Sequence, residues 1–513
     1  MSRITRKNFL KGAVGSALGL AGALPVQDAV AQEAASDDEA ASLMADEFIL
    51  AGAIVLTMDD QRQAFEDGYV WIRNGRIHQV GATADLGAVP DGVSYRSVNR
   101  RLIMPGLINC HAHVSNGILK GIYDEIPLER WFGGRLMWNV VDAMDGAVGE
   151  AGSQLSLLEL MTGGVTTIAN GTFGTGHAEL LDGVLTAIER SGIRAVASRM
   201  TVDGVSENPT QFIPEAYRER PSAAADEVRR LQRRFNSSRI SVGAEALGPL
   251  RCTPEMVVAM HDVATQTGSH FFMHVLDSRD EYDESRRVFG HGAIIELGRL
   301  GVLGPKTLFA HMIWLDDDEI KLLADTQTGV SHNPVSNATW AGGLARLPEL
   351  LDAGVRVGLG SDGAATNNGQ NVWETMKMAM LFQKAALDTP TFGSAELALE
   401  LMTRGGARAL HMEDEIGSLE PGKRADLIVI DTERVALAPL QAVVSNLVYS
   451  NDPWAVRDVY VDGEAVVSDG VHRYLDRAQV IEQVEIAVGL LHERISGHAS
   501  YLAERSRWQW HRK

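Results

Sequence analysis

The sequence predicts an α/β protein built on a (β/α)8 TIM-like barrel, with a second, small β-sandwich domain assembled from segments on both sides of it. Three observations carry that prediction. Short apolar runs alternate with helical-length segments through the middle of the 513-residue chain, the pattern of parallel strands buried on both faces. Several of these runs end in His, Asp or Asn, and barrel active sites are built at the C-terminal ends of strands. Turn-punctuated β segments flank the runs at both ends. The length also suits one large barrel with a smaller attached domain.

Taken in order, residues 1–31 read as an export signal. Arg3, Arg6, Lys7 and Lys11 precede the apolar run Gly12 to Pro25, and Ala29-Val30-Ala31 resembles a small-residue cleavage site. The run is shorter than the ~20 residues a spanning helix needs. Thr5 to Lys11 is similar to the twin-arginine pattern, with Lys7 in place of the second arginine, so that route is favoured over the general one. The expected address is periplasmic or secreted, with no stable membrane anchor after signal removal. Residues 32–45 are acidic and Ala-rich and read as a flexible lead-in.

Residues 46–104 form the first part of the β-sandwich. Phe48 to Met58 and Gly68 to Gly81 read as short strands, the second stretch folding back at Asn74-Gly75, the dipeptide that most readily takes the φ > 0 of a tight hairpin. From Leu102 the pattern changes to apolar runs: Leu102-Ile103-Met104, Thr166 to Ala169, Ile193 to Val196, Phe271-Phe272-Met273 and Leu308-Phe309-Ala310. Residues 105–415 are the expected barrel. Residues 416–475 return to β character in Ala425 to Asp431, Ala442 to Tyr449 and Val459 to Val467, with a turn at Val461-Asp462-Gly463-Glu464. Residues 476–513 read as a helix from Arg477 to about Glu504 and a basic tail, Arg505 to Lys513.

Composition narrows the function. A formal net charge of -20 opposes a nucleic-acid partner, because binding a polyanion needs a basic footprint. The two cysteines, Cys110 and Cys252, lie far apart in no CxxC pattern, so they read as buried thiols with no catalytic role.

The chemistry-bearing residues fall at strand ends. In Pro105 to His113, alternate residues at the end of a strand point the same way, so His111 and His113 can converge on one metal. His274 closes Phe271-Phe272-Met273, His311 closes Leu308-Phe309-Ala310, and Asp362 follows Val355 to Ser361. A lone histidine in such a place is ordinarily structural, but the combination points to a metal site. Neutral imidazoles with a carboxylate suit Zn2+, with Fe2+ or Mn2+ as alternatives.

At this point the sequence resembles a family. Met104 to Asn116, Gly164-Val165-Thr166-Thr167, Leu308 to Asn337, Gly358 to Lys384 and Ile416 to Asp426 are similar to the amidohydrolase superfamily, in the branch with triazine hydrolases, guanine deaminase and methylthioadenosine/S-adenosylhomocysteine deaminase. The resemblance covers roughly Phe48 to Gly470. It implies one metal per chain held by His111, His113, His274 and Asp362, with Asp362 also accepting a proton from the attacking water. It places His311 beside the reacting water, and His332 in a segment next to the pocket, as a substrate contact or a loop organiser. Trp131 matches the family's loop after the first strand, as a pocket wall or a core residue. Homo-oligomers are common among such enzymes, and a small-molecule substrate is implied.

One position departs from the pattern. Three residues beyond His274, deaminases of this branch carry Glu where this chain has Asp277, one methylene shorter, and a general acid must come within roughly 3 Å of its target or act through water. Asp277 either performs the same proton transfer with altered geometry, marks a different reaction, or merely caps a turn. The expected activity is therefore a metal-dependent aminohydrolase attacking an sp2 carbon of a nitrogen heterocycle. The alternatives are hydrolysis of an exocyclic amide, urea or carbamate C–N bond, and a binding protein without catalysis. Glu245, near a strand end, receives no role.

Overall fold

Apolar and β-branched runs build both sheets of the protein, and the pattern of burial separates them. A computed structural model describes residues 46–123, 126, 136–174 and 178–495. The expected export signal, the lead-in, Trp131 and the basic tail lie outside the described residues.

The barrel strands are β6 (Leu107–His113), β7 (Val165–Phe173), β8 (Arg194–Thr201), β9 (Ile240–Ala246), β10 (Phe271–Val275), β11 (Thr307–His311), β12 (Gly329–His332), β13 (Arg356–Leu359) and the short β14 (Asp362–Gly363). All are parallel and each pairs with its neighbour in chain order. Every residue of β8, β10 and β11 is buried, which is why these stretches read as continuous apolar runs with no alternation. Strands β13 and β14 are one strand interrupted at Gly360-Ser361. Its first part pairs with β12 and its second with β6, Asp362 opposite Ala112 and Gly363 opposite His113, so the sheet closes on itself.

The second layer is a mixed sheet made from the two ends of the described chain. Its order is β18-β17-β16-β15-β5-β1-β2-β3, with β4 (Ser94–Ser97) paired to β1. Here β1 is Glu47–Leu56, β2 Ala64–Arg73, β3 Arg76–Ala82, β5 Arg101–Pro105, β15 Leu427–Asp431, β16 Val456–Val461, β17 Glu464–Ser468 and β18 Val471–His472. The run Leu102-Ile103-Met104 belongs to this layer as β5, parallel to β1 and antiparallel to β15, and the barrel starts two residues later. At that step a Cβ on Gly106 would lie 2.1 Å from the Thr166 hydroxyl oxygen, so only glycine lets the chain pass so close to β7.

The β2–β3 turn falls at Asn74 (φ 50°) and Gly75 (φ 72°), as the dipeptide predicts. A second such turn, Asp462 (φ 50°) and Gly463 (φ 73°), joins β16 to β17. The Asp462 carboxylate and the neighbouring Asp426 bind the two layers together. Arg194, at the start of β8 and 2% exposed, donates to both Asp426 oxygens (2.8 and 3.0 Å) and to Asp462 (2.6 Å). Arg239, just before β9, reaches Asp462 (3.1 Å) and Glu464 (2.7 Å). A buried cation is tolerable only when its donors are met by carboxylates in this way.

One element departs from the sequence expectation. Ala442 to Tyr449 was expected as a strand; the chain forms a helix, Val443–Ser450. Its valines favour extended backbone, but Val443, Val444, Leu447 and Val448 recur at helical spacing and pack on the core. Asn446 also accepts from the Ala442 N–H and donates to the Leu437 and Pro439 carbonyls. Asn451 then takes the left-handed conformation that ends a helix (φ 56°). The C-terminal helix is described over Arg477–Arg494.

Candidate metal centre

The C-terminal ends of β6, β10, β11 and the last strand converge, and each delivers the residue expected there. His111 and His113, two apart on β6, place their Nε2 atoms 3.5 and 3.4 Å from Asp362 Oδ1. His311 Nε2 approaches Asp362 Oδ2 at 4.0 Å. His274 and His113 stack with rings inclined by 10° and their Nε2 atoms 3.2 Å apart. Donor atoms of His111, His274 and His311, and again of His111, His113 and Asp362, lie within 4.8 Å of one another.

Backbone geometry aims two of these side chains. His311 has φ 77° and Asp362 φ 62°, positions that cost a non-glycine residue ~1–3 kcal/mol and that cluster at functional sites. The left-handed kink turns each residue away from the direction its strand would impose.

Contacts on the far sides of the rings orient His113 and His311, and a carboxylate stands behind His274. His113 Nδ1 lies 2.7 Å from the Gly171 carbonyl, His311 Nδ1 2.9 Å from Asn337 Oδ1, and His274 Nδ1 3.1 Å from Glu245 Oε1. A proton on Nδ1 of His113 and of His311 donates to that oxygen and leaves the Nε2 lone pair facing inward, the arrangement that orients metal-binding imidazoles; Glu245 stands close to His274 Nδ1 without a formed hydrogen bond. Burial holds His111 and His274 well below the usual histidine range, against the pull of Asp362. Burial would raise Asp362, but the surrounding imidazoles, His111 first, keep it well below the usual carboxylate range.

These residues fit a divalent metal. His111 Nε2 is buried with no hydrogen-bond partner among the described residues, and two imidazole lone pairs 3.2 Å apart repel unless a proton or cation lies between them. Neutral nitrogens and an ionised carboxylate on one point are a zinc-type donor set.

The cluster forms the floor of a cavity open on one side to solvent. Met137, Val140, Phe173, Leu180, Met200 and Leu247 give it an apolar wall, while Asn116, Thr172, Arg251 and Asp277 supply polar groups. Asp277 is 3% exposed; its Oδ2 lies 3.5 Å from Arg251 Nη1, and its N–H donates to Glu281 Oε2 at 3.0 Å. His332 ends β12 fully buried and is not among the residues lining the cavity. Burial pushes it down to about 4. Cys110 is a buried thiol pushed up to about 12 by burial, which makes it unreactive.

Three contributors escape sequence reading. Glu245, on β9 opposite Phe272 of β10, stands behind His274; burial pushes it up to about 7 while the nearby His113 and a hydrogen bond from Ser198 oppose the rise. Asn337 orients His311. Trp340 lines the cavity with its ring centroid 5.3 Å from that of His311.

Comparison with known proteins identifies the family and the fold. The model of the amidohydrolase family matches residues 102–466. A 5'-deoxyadenosine deaminase of Methanothermobacter thermautotrophicus is 33% identical over 431 residues, 83% of this chain and 95% of the relative. A 5-methylthioadenosine/S-adenosylhomocysteine deaminase of Pelotomaculum thermopropionicum is 32% identical, over 85% of this chain and 97% of its own. Among solved structures, an adenosine deaminase from Xanthomonas campestris with bound zinc superposes with a TM-score of 0.79 at 26% identity, covering 87% of this chain and 98% of that one. Atrazine chlorohydrolase from Arthrobacter aurescens shares the fold at a TM-score of 0.79 and 22% identity, covering 86% of this chain and all of its own.

Proposed function

The chain belongs to the amidohydrolase family, and from that premise we propose that it is a zinc-dependent deaminase that releases the exocyclic amine of an adenine nucleoside as ammonia. The observation that carries this is the placement of Asp362, His311 and Asp277 around the floor of one half-apolar cavity. His111, His113, His274 and Asp362 would hold a single metal. When bound, such an ion lowers the pKa of water towards ~7 and so supplies a strong nucleophile at neutral pH.

The remaining chemistry belongs to the side chains. Asp362 is ionised and buried, so it can take a proton from the attacking water. His311, its Nδ1–H held by Asn337, presents Nε2 towards the same place and orients the water or the developing oxygen. Asp277 lines the cavity and would carry a proton to a ring nitrogen. The two hydrogens of the water end on ammonia and on that nitrogen, so the residues are unchanged at the end of the cycle. The apolar wall favours a substrate whose far end is not strongly polar, in keeping with a relative named for 5'-deoxyadenosine.

Zinc-loaded protein incubated with 5'-deoxyadenosine, methylthioadenosine and adenosine should release ammonia and shift the ultraviolet spectrum of the base. No turnover of any of the three, with hydrolysis of an N-acyl or carbamate compound instead, would replace this function with amide hydrolysis. His111→Ala should lose both the metal, by elemental analysis, and the activity; full activity would overturn the ligand set. We also propose that the protein acts outside the cytoplasm. Its support is the basic, apolar and small-residue succession in residues 1–31, and fractionation of a producing cell, with the protein recovered only from the cytoplasm, would refute it.

A further inference from the structure

The helix Arg279–Phe289 begins in an unusual way. Ser278 is its N-cap and accepts from the Glu281 N–H (3.2 Å), which puts Glu281 at the third helical position. In an ordinary capping box, that glutamate returns the bond to the N–H of the cap residue. Here Glu281 Oε2 takes the N–H of Asp277 instead, one residue earlier (3.0 Å), and so brings its carboxyl group up to the Asp277 side chain.

Both carboxyl groups are buried, Glu281 at 0% and Asp277 at 3% exposure. Asp277 Oδ1 and Glu281 Oε1 are each shielded from solvent and have no hydrogen-bond partner among the described residues. Two ionised carboxylates side by side cannot relieve this, because neither has a hydrogen to give, and their charges repel in a low dielectric. One proton between them relieves both: the acid of one group donates to the carboxylate of the other.

We propose that Asp277 and Glu281 share one proton, with Glu281 the donor, and that Glu281 is thereby a positioning residue that fixes the Asp277 carboxylate at the cavity. The inference rests on Asp277 being the group that exchanges protons with the substrate. The charged groups facing the pair point to the same division. Burial and the Asp277 charge hold Glu281 well above the carboxyl range against the pull of Arg251. Burial would raise Asp277, but Arg251 and then His311 outweigh it and keep it below that range. Arg251 and Glu281 thus grip Asp277 from two directions, and the one-methylene shortfall of the aspartate is met by a support that stops it from swinging. The shared proton is not consumed, since water supplies both hydrogens that the products carry away.

Two variants of zinc-loaded full-length protein test this. Glu281→Gln keeps an acceptor for the Asp277 N–H and a donor for its carboxylate; Glu281→Met keeps the volume and neither. With 5'-deoxyadenosine as probe, E281Q should hold kcat within about 5-fold of the wild type, whereas E281M should lose kcat by about 100-fold or more with KM and zinc content little changed. The infrared difference between wild type and E281Q at neutral pH should show a buried carboxylic-acid C=O band present only in the wild type. A wild-type kcat in E281M, or the absence of that band, overturns the proposal, and the band decides the matter even if E281M does not fold. Presence of the band in a protein that deaminates no nucleoside would leave the shared proton standing and remove the deaminase function.

Discussion

Glu245 carries no recognisable motif, yet it stands against the ring of a proposed ligand. Its carboxyl group stands 3.1 Å from His274 Nδ1, and partners of this kind govern metal affinity almost as strongly as the ligands. Glu245→Gln should therefore weaken zinc binding by about 10–100-fold, read by competition with a chromophoric chelator, while the circular dichroism of the fold stays unchanged. Unaltered affinity would mean that His274 needs no support from β9. The same pair shows what a sequence can reveal residue by residue. His111 and His113 are legible because their spacing and their strand lie within nine residues. Glu245 is not, because its role is set by the register of β9 against β10 and by a histidine 29 positions away. Glu281 was hidden for a different reason: Ser278 and Glu281 spell a helix start, and only the direction of the side chain shows that the carboxyl group serves Asp277.

At the level of elements, the barrel strands were readable because burial on both faces leaves no alternation, and the tight turns because Asn-Gly and Asp-Gly take left-handed backbone. The helix Val443–Ser450 was not, since valine-rich segments of eight residues satisfy either period and only packing decides. The contact between the layers is also invisible in one dimension. Arg194 meets two carboxylates more than 230 positions along the chain, which gives the Lys-Arg-Ala-Asp stretch ending at Asp426 a structural task. Arg194→Met should leave Asp426 buried and uncompensated and destabilise the protein by about 3–5 kcal/mol. Urea unfolding would measure this, and kcat at low temperature should be unaffected. A second element-scale effect concerns acid. His472, in β18, accepts the N–H groups of Tyr474 and Leu475 on Nδ1 (3.1 Å each), so the folded state resists its protonation, and burial pushes it down to about 4. The unfolded chain binds this proton near pH 6.5. Stability is therefore fully present above pH 6.5 and falls as the pH drops towards 4, by about 3 kcal/mol for this one group. His472→Asn, which keeps an acceptor at the same place without a titrating ring, should flatten that part of the urea-midpoint profile; an unchanged slope would assign the acid sensitivity elsewhere.

For the whole molecule, the pairing of Asp362 with Ala112 and of Gly363 with His113 has a thermodynamic consequence. The barrel has one seam, where its last strand meets its first after some 250 intervening residues, and among the described residues it is joined by two ladder pairs and by Asn109, whose side chain bonds the N–H and hydroxyl of Ser361. Three of the four proposed ligands straddle that seam, His111 and His113 on one lip and Asp362 on the other, with His274 reaching in from β10, so an ion there would act as a clasp. A ligand that binds only the native state stabilises it by about 2.7 kcal/mol at a hundred times its Kd, and in this protein the gain should be spatially uneven. After chelation, amide hydrogen exchange should quicken first at 107–113 and 356–363, while β8 and β9, which carry none of the proposed ligands and lie away from the seam, keep their protection. Uniform acceleration around the barrel would show that closure does not depend on the ion. If the clasp holds, loss of the metal would loosen the barrel locally before it unfolds, and the chain's most exposed moment would begin at its own active site.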